Sequence, residues 1–100
     1  MDKINEGAVR RLYETVLRLE TLEECAAFFE DICTIKEVQD ISQRLEVAEL
    51  LHGGKNYLEV SRRTGASTAT ICRVNKCLLY GSGGYRTALK KMAEGEEAND

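Results

Sequence analysis

The chain of 100 residues contains no proline, one histidine and only six aromatic side chains. With no proline to interrupt a helix, and Leu, Glu, Arg and Ala abundant, the expected fold class is all-α. The single histidine, His52, stands beside two glycines at an expected helix end. There it suits contact with the terminal carbonyls better than proton transfer, and no enzyme activity is expected. No stretch approaches the roughly 18 apolar residues of a membrane span, and the start MDKINEGAVRR has no apolar core of a signal peptide. The expectation is therefore a cytoplasmic protein with no membrane partner. None of Cys25, Cys33, Cys72 and Cys77 forms the CxxC pairs of a zinc site, so no metal is expected. All four lie in helical patterns and read as buried thiols of a reducing compartment. A Cys72/Cys77 redox pair is disfavoured because positions five apart on a helix point in different directions.

One domain is expected over residues 1–95, followed by an acidic flexible tail at 96–100. A domain of this size has a modest core, and several short helices with apolar stripes would need a partner to cover them. A homodimer is the natural remedy. The formal charge of -3 hides an asymmetry. Between His52 and Lys91 lie eight Lys and Arg residues against the single Glu59, whereas the remainder holds six cations against sixteen carboxylates. Such a split points to a basic working surface on an acidic body.

Apolar residues repeat at helical spacing through Val9, Leu12, Tyr13, Val16 and Leu19. Thr21 and Glu24, then Thr34 and Glu37, form two capping boxes. The first opens a helix with Leu22, Cys25, Ala26, Phe29, Ile32 and Cys33 inside. The second opens a longer helix that buries Val38, Ile41, Leu45, Ala48 and Leu51 and stops at Gly53 and Gly54. Asn56 and Glu59 repeat the box ahead of a short helix that ends at Gly65. Ser67 caps the next helix, with Ile71, Val74 and Leu78 on one side, and YGSGGY at 80–85 breaks it. A last amphipathic turn or two carries Tyr85, Ala88, Leu89 and Met92.

A short helix, a tight turn and a second helix over about 56–79 have the sequence form of a helix-turn-helix. Gly65 relieves the turn, Ser61 permits close crossing, and Val60, Ile71 and Val74 fill the angle. Thr68, Ala69, Cys72, Arg73 and Lys76 are left facing outward. In a DNA reader, the first turn of the second helix meets base edges while cations and backbone N–H groups hold phosphates. The expected double-stranded DNA contacts are Arg62, Arg63, Ser67, Thr68, Ala69, Thr70, Arg73 and Lys76. Two alternatives stay open: a helical hairpin with solvated arginines, and a helical protein–protein interaction module without DNA binding.

The segments QRLEVAELLHGG and EVSRRTGASTATICRVNKCL, with YGSGGY after them, resemble the Trp repressor family and its small YerC/YecD branch. The likeness covers about Thr34 to Tyr85. It implies six helices, an intertwined dimer with a reading head at each end, and transcriptional repression. It also implies a ligand pocket. The family's indole lies between two arginines that match Arg44 and Arg73, with Thr34 and Thr70 at further pocket positions. The family's glycine after the second arginine is here Val74, however, and its ligand-holding serine is Cys77. A valine would stand where the ring should lie, and a thiol is a weak hydrogen-bonding substitute for a hydroxyl. Thr34, Arg44, Arg73, Val74 and Cys77 are therefore expected to mark a vestigial pocket. Tryptophan binding is expected to be absent, and any small-molecule effector is unknown.

Overall fold

A computed structural model of the protein describes residues 5–98. The described chain is all-α, with no strand: α1 (Glu6–Arg18), α2 (Leu22–Ile32), α3 (Ile35–His52), α4 (Tyr57–Thr64), α5 (Thr68–Tyr80) and α6 (Gly84–Ala98). It forms two compact units, one up to Val38 and the other from Gln39 onward, with the division inside α3.

Local chemistry sets the helix starts. Asn5 Oδ1 accepts the Ala8 N–H at 3.0 Å and opens α1. Thr21 Oγ1 accepts the Glu24 N–H at 3.0 Å, but the Glu24 carboxylate takes the N–H of Glu20, one residue before the donor expected of a capping box. At α3 the box is fully reciprocal: Thr34 Oγ1 accepts from the Glu37 N–H at 3.1 Å, and Glu37 Oε1 accepts from the Thr34 N–H at 2.8 Å. The Thr34 backbone N–H on the carboxylate, and after it the Thr34 hydroxyl beside the carboxylate, hold the Glu37 carboxyl below its usual 4.5. The other end of α3 closes in a Schellman motif, the Lys55 N–H reaching the Leu50 carbonyl and the Gly54 N–H that of Leu51. Gly54 sits at φ +89°, where a side chain would be strained.

The second unit holds the core. Val47 and Ala48 from α3, Val60 from α4, Ala66 from the turn, Ile71, Val74 and Leu78 from α5 and Leu89 from α6 form one buried cluster. Burying each of the larger side chains stabilises the fold by roughly 1.5–3 kcal/mol. In contrast, neither α1 nor α2 has a fully buried residue. The inward face expected for α2 is open at Leu22 and Ile32, and Ile41 and Leu45 of α3 are likewise exposed.

Two further expectations are corrected. Cys77 is exposed rather than buried, and Cys72 takes the outward position expected from helix periodicity rather than that of a buried thiol, because α5 turns Ile71, Val74 and Leu78 to the core; Cys25 and Cys33 are half-buried. Helix α6 is also longer than the turn or two expected and runs through Gly95 to Ala98. Glu96 is thus helical where a flexible tail at 96–100 was expected, and Asn99 and Asp100 lie outside the described residues.

Candidate nucleic-acid interface

Helices α4 and α5 pack against each other across a turn whose polar groups are closely bonded. Gly65 adopts φ +73° and donates its N–H to the Ser61 carbonyl at 2.9 Å. Around it, the Thr64 hydroxyl donates to the Val60 carbonyl at 2.8 Å and accepts the Ala66 N–H at 3.1 Å. Ser61 Oγ donates to the Ala66 carbonyl at 3.2 Å, so its small side chain also ties the turn together. Gln43 of α3 adds a bond from Nε2 to the Thr64 carbonyl at 3.1 Å. That brace spans 21 positions, and no local pattern in the sequence announces it.

Ser67 opens α5. Its hydroxyl accepts the Thr70 N–H at 3.2 Å and donates to Thr70 Oγ1 at 3.1 Å. The first turn consequently shows Ser67, Thr68 and Ala69 to solvent, with Thr70 half-buried. Further along, Arg73 and Lys76 are exposed, and neither has a carboxylate partner among the described residues. Ile71, Val74 and Leu78 lie against the core, so α5 is divided lengthwise into a packed side and an open polar side.

Arg62 and Arg63 behave differently. Arg63 Nε donates to Glu59 Oε1 at 2.8 Å, and Arg62 Nη2 donates to the other carboxylate oxygen. Partial burial is the strongest single influence on Glu59 and pushes its carboxyl up. The Arg63 hydrogen bond, the two guanidinium charges and the Arg62 hydrogen bond outweigh it and hold the group below its usual 4.5. Asn56 Oδ1 accepts the Glu59 N–H at 2.9 Å, but the reciprocal bond of a capping box is replaced by this pairing with two arginines.

Of the residues expected to mark a vestigial ligand pocket, Arg44 and Cys77 line one open groove of about 540 Å³, together with Gly81 and Tyr85. Arg73 is not among its lining residues. Val74 is 2 % exposed and belongs to the core. The Thr34 hydroxyl is engaged as the cap of α3, and the Thr70 hydroxyl is bonded to Ser67. No cluster of three His, Cys, Asp or Glu side chains suited to a metal occurs among the described residues, and no helix there is long and apolar enough to cross a membrane.

The six helices of the described residues, with a glycine-turned pair that buries one side of α5 and exposes the other, define a helix-turn-helix protein of the Trp repressor type. The chain belongs to the Trp repressor family, whose profile, described as Trp repressor protein, matches residues 8–93. It is 47% identical over 96 residues to the uncharacterized protein YerC of Bacillus subtilis (strain 168), covering 96% of this chain and 92% of that one. A TrpR like protein from Eubacterium eligens ATCC 27750 superposes with a TM-score of 0.84 at 46% identity, over 87% of this chain and 90% of that one. A crystal structure of a candidate Trp repressor from Staphylococcus aureus gives a TM-score of 0.84 at 42% identity, over 87% of each chain.

Proposed function

We propose that the protein is a sequence-specific, double-stranded-DNA-binding transcriptional regulator that acts in the cytoplasm as a homodimer and represses by occupying promoter DNA. The observation that carries this reading is the open side of α5. Two cations without carboxylate partners, Arg73 and Lys76, follow a first turn whose Thr68 and Ala69 are free of internal work. Arg73 and Lys76 hold phosphates. Thr68 and Ala69 offer methyl groups to thymine, and the Thr68 hydroxyl can bond a base edge. Ser67 and Thr70 keep the first turn in shape, with the helix N-terminus turned to a phosphate. Membership of the Trp repressor family supports the same class of function.

Tryptophan is not the effector in this reading. Val74 contributes to the core at the position where the family keeps a glycine, and Cys77 replaces a serine, so the ring has lost its space and its polar end a partner.

The direct test is titration of a fluorescent mixed-sequence duplex at several salt concentrations. Binding that weakens steeply with salt is expected, because each neutralised phosphate releases counterions. Absence of binding at low salt would refute the reading in favour of a helical protein-interaction module.

A further inference from the structure

Between His52 and Lys91 the sequence places one carboxylate among eight cations, and the structure puts it between two of them. Glu59 bonds Arg62 through one oxygen and Arg63 through the other. Its side chain is 25% exposed, whereas those of Arg62 and Arg63 are 74% and 51% exposed. The carboxylate has also left the Asn56 N–H, its usual target in a capping box, to make these bonds.

Building on the DNA-binding reading, we propose that Glu59 is a specificity-determining residue that damps the attraction of Arg62 and Arg63 for DNA phosphates in general while leaving their directed contacts intact. The argument separates long-range charge from short-range geometry. Non-specific association is driven almost wholly by net charge along the phosphate backbone. At that range the three side chains together act as a single positive charge in place of two. In a docked complex, hydrogen bonds decide, and each guanidinium retains most of its N–H donors after one bond to Glu59. The carboxylate therefore weakens random binding more than registered binding, which is how a repulsive element raises specificity. Arg73 and Lys76 have no such partner among the described residues and supply the undamped attraction.

The test compares Glu59→Gln with the unaltered protein on a mixed-sequence duplex, from about 50 to 200 mM salt. The variant keeps the backbone N–H that Asn56 caps, and circular dichroism checks its helix content. Binding about three- to tenfold tighter at the low end is expected, with a salt dependence steeper by roughly one phosphate contact per reading head. Glu59→Asp, which keeps the charge, should stay near the parent. In an Arg62→Gln, Arg63→Gln background the Glu59→Gln change should keep a similar effect, because it removes the same negative charge, whereas a role confined to holding the two guanidiniums in place would lose it. Should the glutamine variant fold poorly, Glu59→Ala, a stronger helix former, repeats the comparison. Unchanged or weaker binding by a folded Glu59 variant, with the parent binding normally, overturns this inference alone. A parent with no salt-dependent binding overturns the DNA-binding reading and this inference with it.

Discussion

Replacing Arg73 and Lys76 by alanine is the perturbation whose size follows most directly from the structure. Both side chains are exposed on the open side of α5, and no carboxylate among the described residues offsets either charge. Each should neutralise one phosphate per reading head, which corresponds to a slope of about 0.9 in the logarithm of affinity against the logarithm of salt. Between about 50 and 200 mM salt, a fourfold change, one such contact accounts for roughly a 3.5-fold loss of affinity, and two account for roughly 12-fold. The double variant should therefore bind all duplexes more weakly at low salt and show a flatter slope, by about two contacts per head. Fluorescence anisotropy on one selected and one mixed-sequence duplex reads both quantities. Neither change touches the buried residues of α5, so the thermal transition should stay close to the parent's. If Arg73→Ala and Lys76→Ala both left affinity and slope unaltered, α5 would not be a DNA-contacting surface.

The remaining expectations concern the ligand, the assembly and the local structure. Calorimetry with L-tryptophan should show no binding, with or without DNA; micromolar binding that tightens the DNA complex would refute the argument from Val74 and Cys77. Sedimentation should show a dimer at micromolar concentration, with stability that rises with protein concentration; a stable monomer would contradict it. Gly65→Ala should cost about 1–2 kcal/mol from its left-handed backbone alone, since a Cβ there meets nothing within 4 Å. Gly81→Ala should be destabilising for the opposite reason, its Cβ falling 2.5 Å from the Cys77 carbonyl oxygen; denaturant midpoints of the two variants check both. Glu37 is depressed in the folded state, so its contribution is complete above pH 4.5 and declines as pH falls below that value. Thr34→Ala should flatten this acid limb of unfolding, and an unchanged limb would count against the capping-box assignment.

Helix starts were legible because their signals are local. Thr21, Thr34, Asn56 and Ser67 each accept the N–H expected of a cap, and Gly54 and Gly65 take the left-handed conformations that end α3 and α4. The end of α6 was less legible, because an acidic end reads as a tail, yet the helix runs through Gly95 to Ala98. A glycine in a helix costs about 1 kcal/mol relative to alanine, which the good helix formers around it offset. Burial was the less legible property. Periodicity identifies the apolar stripe of α1 and the face of α2, but it carries no information on what covers them, and neither helix has a fully buried residue. At the interface, the outward positions of α5 followed from the same periodicity that placed Ile71, Val74 and Leu78 inside. The pairing of Arg62 and Arg63 did not, because Glu59 had two competing sets of donors: the backbone at Asn56 and the guanidiniums one turn further along.

The distribution of burial bears on how charge damping at Glu59 would act in a dimer. Every fully buried apolar residue among the described residues lies between Val47 and Leu89, so the shape of the reading head rests on a core within its own unit. Leu12, Tyr13, Val16, Leu17 and Phe29 line an apolar groove of about 480 Å³ in the other unit, surface that favours association. In the proposed dimer, two reading heads would engage successive major grooves about 34 Å apart, a spacing general to helix-turn-helix dimers, Trp repressor among them. Binding of the second head is then intramolecular, and the affinity of the pair multiplies the contributions of both. A damping of non-specific attraction by about threefold per head would become roughly ninefold for the dimer. A near-palindromic operator, which lets both heads make their directed contacts at once, would escape most of that loss. One carboxylate per protomer would thus do more for discrimination in the assembled protein than its effect on a single head indicates.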